Sequence, residues 1–199
     1  YKQSDVVDAM SETGVYAPRS APKKVTADGR TIELSAEQQR KYQTDRGTQL
    51  VLTVTDMLGN AQYKRAGETQ KEELMADARD YANSIAKANV MGKDSAPQWV
   101  QKTMDAQRTT GLSAATVIVY RDMLSREKDK GKTTVDANGA VRNAIRSDST
   151  LSAAQKSALD DIVISDGVYI PKDLKVDYTN GETFVISQMS AGAQKRYNS

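Results

Sequence analysis

Two residue types that carry much of protein chemistry are missing from this chain of 199 residues. It has no cysteine, which excludes disulfides and thiolate metal sites, and no histidine, the commonest general base and metal ligand. No apolar run reaches the roughly 18 residues that a membrane span requires. The sequence therefore predicts a segment without catalytic residues, cofactor, small-molecule ligand or membrane span.

Large aromatic side chains are also scarce. The chain has one Phe, one Trp and nine Tyr, and hydrophobic residues make up 38% of it. An average globular domain has roughly 45–50% apolar residues. The core must therefore consist mainly of aliphatic residues, Ala and Tyr, which favours small helical modules. We also expect partner proteins to cover part of the surface.

Positive and negative charges are nearly equal in number, with 28 basic and 26 acidic residues and a net charge of +2. Nucleic-acid-binding proteins usually have a clear basic excess or a basic stripe. The densest basic run holds Lys128, Lys130 and Lys132, and a solvated turn between helices is the main interpretation. The alternative is a nucleic-acid contact, which requires these lysines to cluster with Arg142 and Arg146.

An internal repeat is the most distinctive feature of the sequence. A Gly-Val-Tyr-x-Pro element stands at residues 14–18 and again at 167–171, an offset of 153 residues. Each copy continues with a Lys-containing stretch, a turn dipeptide, a Ser and a Gln/Lys-rich segment that ends in Tyr. The turn dipeptides are Asp28-Gly29 and Asn180-Gly181, and the closing tyrosines are Tyr42 and Tyr197. The order of these blocks predicts a duplicated unit.

Each repeated unit has a readable local structure. Asp-Gly and Asn-Gly between alternating apolar residues predict tight hairpins, because Gly adopts positive φ without steric cost. Val25 and Ile32 flank the first turn, and Val176 and Phe184 the second. The Pro favours an extended path before each hairpin. Residues 1–34 are thus the end of a preceding unit plus linker and hairpin, 35–166 a helical body, and 167–199 the second linker, hairpin and helix start.

The linker and the closing tyrosines are the candidate docking residues. They are Tyr16, Pro18, Tyr169, Pro171, Tyr42 and Tyr197. Two structural interpretations are open: each Tyr fixes its linker onto its own helices, or it docks successive units or a neighbouring subunit. Both make the linker a packing element rather than a chemical site.

Between the repeats the sequence predicts a mainly α fold of six or seven helices, with two small β-hairpins. Capping patterns start helices after Ser35, Thr69, Ser95 and Ser152, ending near Leu58, Met91, Gln107 and Ile164. Two further helices span residues 114–126 and 136–146. A strand at residues 50–54 is the alternative to the middle of the first. Leu74, Ala78, Tyr81, Ile85 and Ala88 form an apolar stripe at helical spacing.

Two short motifs have the outline of nucleotide- and DNA-binding elements. Gly131-Lys132-Thr133 has the tail of a phosphate-binding loop, but Arg126 stands where its first glycine is required. Residues 111–117 have the outline of a helix-turn-helix without the Arg, Asn and Gln density of a recognition helix. Structural turns explain both motifs better.

The linker, turn, Ser cap and Tyr-ended helix together resemble repeat-containing modules of very large multi-module tailed-bacteriophage proteins, as does the stretch Leu151–Leu159. The resemblance implies a structural segment of a virion or genome-ejection protein. Its expected partners are further copies or other virion subunits. Its expected location is the virion, or the cytoplasm as a soluble protein during assembly. The alternatives are a nucleic-acid-contacting module and an accessory domain of a multi-module enzyme.

Overall fold

The computed structural model describes residues 2–13, 15, 20–165, 175–177 and 183–185, and it is mainly helical. This fold class confirms the prediction. The helices are α1 (Gln3–Thr13), α2 (Ala36–Leu58), α3 (Ala61–Arg65), α4 (Glu68–Met91), α5 (Gln98–Thr110), α6 (Ala114–Asp129), α7 (Thr134–Arg146) and α8 (Ala153–Leu159). A 3-10 turn spans Lys93–Ser95, and a π-helical segment, Asp160–Ser165, continues α8.

Both predicted hairpins form antiparallel pairs. In the first, β1 (Lys24–Ala27) pairs with β2 (Arg30–Glu33), and Val25 lies opposite Ile32. Asp28 and Gly29 have φ angles of 52° and 72°, so the turn needs the positive φ that its sequence predicted. In the second, β3 (Lys175–Asp177) pairs with β4 (Thr183–Val185), and Val176 lies opposite Phe184.

The chain divides into two compact units, Tyr1–Val119 and Tyr120–Ser199, and the division falls within α6. In the first unit, α4 packs on α2 and also contacts α1 and α5. The predicted α4 stripe is fully confirmed, since its five residues are at most 6% exposed. Met75, Ala82 and Ala86 are buried too, because α4 has neighbours on more than one side.

Helix starts follow the predicted caps in part. Ser35 and Ser152 each form a capping box, with Gln38 and Gln155 three residues later. The prediction of a Thr69 cap is wrong: α4 begins at Glu68 after Gly67, whose extended backbone starts the helix without a side-chain cap. The Ser95 cap is also wrong, because Ser95 belongs to the 3-10 turn and its hydroxyl bonds the Gly92 carbonyl.

The β-rich stretch at residues 50–54 lies inside α2, so the strand alternative is wrong. Leu50, Thr53 and Val54 are at most 3% exposed and face the core of the first unit. Their spacing of three and one fits a helix, and burial against α4 outweighs the β preference of Val and Thr.

In the second unit, α7 packs on both α8 and the π-helical segment. The helix predicted to run from Ser152 to Ile164 is α-helical up to Leu159 and π-helical from Asp160. Ile162, Val163 and Ile164 are consecutive and at most 2% exposed. The wider turn lets three adjacent apolar residues be buried together.

A hydrogen bond between Tyr120 and Asp148 anchors the second unit. The Tyr120 hydroxyl, on a side chain 1% exposed, donates to the Asp148 carboxylate at 2.7 Å. Burial raises the pKa of Asp148, but hydrogen bonds from Thr150 and Tyr120 outweigh it and hold that pKa below 3.8. The charged carboxylate is therefore the form that the fold prefers.

We expect Tyr120→Phe to lower the free energy of unfolding by about 1–2 kcal/mol near neutral pH, because it removes a hydrogen bond to a charged acceptor. The pKa of Asp148 is lower in the folded chain than in the unfolded one. Its stabilising effect is therefore present above pH 3.8 and is lost as the pH falls through the folded value. Urea unfolding followed by circular dichroism checks this, and an equal loss at neutral and acidic pH contradicts it.

Candidate interaction sites

The first hairpin is held against α2 and α4 by a small apolar cluster. Val25 from β1, Leu34, Tyr42 from α2 and Ala86 from α4 are buried together. We call these four residues, with Arg46, the hairpin joint. An isolated two-stranded hairpin is at best marginally stable in water. The joint is therefore what keeps this hairpin on the helices.

Tyr42 and Arg46 connect the joint to the end of the first linker. The Arg46 guanidinium lies 5.1 Å from the centre of the Tyr42 ring and donates to the Ser20 carbonyl at 3.0 Å. Burial raises the pKa of the Tyr42 hydroxyl, an effect that Arg46 partly offsets. One buried Arg thus contacts an aromatic face of its own helix and the backbone just before the hairpin.

Of the six predicted docking residues, Tyr42 lies among the described residues. It is 4% exposed, and its ring is used inside the first unit, in the joint. Tyr16, Pro18, Tyr169, Pro171 and Tyr197 lie outside the described residues. Tyr42 therefore packs the first hairpin against helices of the same compact unit.

Arg46 is a joint residue that sequence reasoning missed. A charged residue inside a polar helix is normally assigned to the surface, yet Arg46 is 7% exposed. The signal was its spacing: it falls four residues after Tyr42 and four before Leu50, on the buried face of α2. Reading that face as continuous would have placed Arg46 beside the Tyr42 ring.

The repeat is also visible in the burial of its first helix. Val6, Ala9 and Met10 are the buried residues of α1. The positions 153 residues later are Leu159, Ile162 and Val163, which are at most 2% exposed. Asp8 and its counterpart Asp161 are both exposed. The three buried positions of α1 are thus buried again 153 residues later, where Ile164 is buried as well although its counterpart, Ser11, is exposed.

The two copies of this face have different neighbours. In the first unit, α1 contacts α2 and α4, which follow it along the chain. In the second unit, the π-helical segment contacts α7, which precedes it. The repeated face can therefore pack either on the next helices or on the previous one.

In the basic turn, which we define as Lys128, Lys130 and Lys132, two lysines share one carboxylate within the second unit. Lys130 pairs with Glu127 at 3.1 Å, and Lys132 pairs with the same carboxylate. These two hydrogen-bonded cations hold the pKa of Glu127 below its usual range. Burial lowers the pKa of Lys128. The carboxylate thus reduces the positive field that a phosphate would experience.

The other two basic candidates lie on α7. Arg142 donates to Asp160 at 2.9 Å, and both line a shallow depression of about 220 Å³ with Arg146 and Lys156. The Lys156 ammonium donates to the Arg146 carbonyl at 2.8 Å. Because α7 rises about 1.5 Å per residue, Arg146 lies about 18 Å along the helix from its start. The five predicted basic residues thus form two groups, at the basic turn and on the later part of α7.

No helix among the described residues combines the length and hydropathy needed to cross a membrane. None of their acidic side chains gather into a group of three that could hold a metal ion. Comparison of the chain with protein-family models, with curated proteins and with solved structures gave no match.

Proposed function

We propose that this chain is a structural and interaction segment of a larger phage-type virion or genome-ejection protein, acting by helix packing and linker docking. One observation carries the proposal: the three buried positions of α1 are buried again 153 residues later. Repetition of a packing face, rather than of polar groups around a cleft, is expected of units that stack through their neighbours. The proposal assigns this segment no catalytic role.

The hairpin joint supports the docking part of the proposal. The first linker leads into a hairpin whose apolar side is buried against α2 and α4, and Arg46 bonds the backbone at Ser20. A linker fixed at its end in this way would set the direction in which the chain passes from one sequence repeat to the next. The second copy carries the same turn and Tyr chemistry in its sequence, with Asn180-Gly181 and Tyr197.

The virion role rests on the resemblance of the linker, turn and cap elements to modules of large tailed-phage proteins. Its partners are then further copies of the unit or other virion subunits. We expect the protein to co-purify with density-gradient particles from its natural source and to resist added protease until the particles are opened. Immunoblotting with an antibody against residues 20–119 measures this. Recovery in the particle-free fraction alone contradicts the virion role.

The nucleic-acid alternative gains less support from the contacts of the basic residues. Lys130, Lys132 and Arg142 each pair with a carboxylate, which lowers the number of cations that can neutralise phosphates. If the basic turn does contact nucleic acid, affinity for a DNA duplex falls steeply with salt. Glu127→Gln then strengthens binding, because it frees two lysines. The structural proposal expects neither effect.

A further inference from the structure

The outward side of α2 is unusually poor in charge. Val51 and Leu52 are 45% and 54% exposed, two of the large apolar residues most open to solvent among the described residues. Thr44 and Thr48 precede them on the same side at helical spacing, and Thr55 follows. The Thr55 hydroxyl donates to the Val51 carbonyl at 2.7 Å, so the helix's own backbone already satisfies it. We call these five residues, with Lys41 and Asp56, the α2 outer face.

The composition of this face is wrong for a helix side that stays in water. Thr and Val restrict side-chain rotamers in a helix and lower its propensity, so an exposed helix normally prefers Glu, Lys, Gln or Ala there. Between Lys41 and Asp56 this side carries no other exposed charge, and in the turn before Lys41 the exposed residues Glu37 and Arg40 carry opposite charges. Asp45, at its edge, is half-buried and accepts a hydrogen bond from Asn89 at 2.9 Å. The face therefore has the chemistry of a surface that another protein covers.

The charges at its ends indicate what covers it. Lys41 and Asp56 are 15 residues apart, which is about 22 Å along a helix. Both lie toward the same edge of the face, because 15 residues at about 100° each leave them about 60° apart around the helix. A second α2 laid antiparallel across this face places its Asp56 beside Lys41, and its Lys41 beside Asp56. A parallel two-fold pair would instead place the two copies of each residue at the same height but on opposite edges of the seam, so no Lys41–Asp56 pair would form.

We propose that the α2 outer face is the interface of a two-fold homodimer, in which two α2 helices pack antiparallel and two Lys41–Asp56 pairs flank a Thr/Val/Leu seam. This inference rests on the proposed structural function and names one partner, a second copy of the chain. Two-fold pairing is the commonest symmetry of soluble oligomers and uses the same patch on both copies. A single helix face is small, so the dimer is weak and concentration-dependent.

In this dimer the Asp56 carboxylate gains an ion pair. It forms no ion pair among the described residues, and burial raises the pKa of its carboxyl group. Lys41 already has a partner, Asp45, at 3.5 Å within its own helix, but the Lys41 side chain remains 56% exposed. A long, exposed Lys side chain can reach a second carboxylate across the seam without leaving the first.

Sedimentation equilibrium and light scattering on the purified full chain test the proposal, from about 10 μM to 1 mM. We expect a reversible monomer–dimer equilibrium that Leu52→Glu abolishes. Val135→Glu is the matched control, because Val135 is 50% exposed on α7 and outside the face. That control is expected to leave the dissociation constant unchanged. Thermal unfolding of each variant at low concentration shows that the monomer still folds.

Charge reversal tests the antiparallel register. Asp56→Lys and Lys41→Glu each turn two attractive pairs into repulsive ones, so each is expected to weaken the dimer by about tenfold or more. The double variant restores opposite charges and is expected to dimerise within about threefold of the wild type. A chain that stays monomeric throughout the range, a double variant no better than the single ones, or open-ended growth overturns the proposal. Because only the purified chain is used, such a result leaves the particle co-purification test untouched.

Discussion

Replacement of Tyr81 by alanine is expected to lower the free energy of unfolding of the first unit by about 3–5 kcal/mol, the range for removing a large buried aromatic side chain. Tyr81 is 0% exposed on α4, in the main apolar cluster. Its hydroxyl donates to the Gln107 side chain at 3.0 Å, and its ring centre lies 5.9 Å from that of Trp99. One side chain thus connects α4 to two positions on α5.

The size of this effect follows from how little else can fill the site. Its neighbours along α4 include Ala78 and Ala82, both 0% exposed, which cannot extend into that space. Burial also raises the pKa of the Tyr81 hydroxyl, so the neutral phenol is the form present at all ordinary pH values.

Tyr81→Phe separates the two parts of the interaction. It keeps the ring and removes the hydrogen bond to Gln107, so we expect a loss of about 0.5–1.5 kcal/mol. Trp99 is the chain's sole tryptophan and adjoins the site, which makes its fluorescence a direct reporter of this unit during urea unfolding. A Tyr81→Ala loss below about 1 kcal/mol would show that the core repacks and is not fixed by this residue.

The elements that the sequence predicted correctly are those with a strong local cause. The Asp28-Gly29 turn needs positive φ at both positions, and this requirement sets the register in which Val25 meets Ile32. The α4 stripe repeats over four turns, so packing could not shift its phase. The Ser35 capping box satisfies backbone groups within its own helix, independently of tertiary contacts.

The sequence was less informative where contacts with neighbouring elements decide which residues are buried, where a helix begins or which charges pair. At residues 50–54 five apolar or β-branched residues are consecutive, so periodicity alone cannot say that Leu50 is buried and Leu52 is 54% exposed. The predicted Ser95 cap is wrong because Lys93–Ser95 form a 3-10 turn, and α5 begins only at Gln98, after Pro97. Pairing of Lys132 with Glu127 occurs across a turn, at a distance that no helical spacing predicts.

Tyr42→Ala is expected to release the first hairpin while leaving the helical core folded. The ring is the largest side chain of the hairpin joint, and it supports Val25, Leu34 and the Arg46 guanidinium. Truncating a buried aromatic residue costs about 3–5 kcal/mol when its surroundings stay folded. A hairpin that is marginal on its own can instead open at a lower cost. The loss in global unfolding free energy is then limited to the free energy with which the hairpin docks.

Hydrogen exchange distinguishes opening of the hairpin alone from unfolding of the hairpin together with the helices. We expect the paired amides of β1 and β2 to exchange at least about tenfold faster in Tyr42→Ala, while amides in the middle of α4 stay protected. Tyr42→Phe is the control, because it keeps the ring over which Arg46 lies. Equal acceleration in β1, β2 and α4 would mean that the hairpin and the helices unfold as one body. The joint would then be part of the core rather than a separable docking element, and the linker-docking half of the proposed function would lose its physical basis.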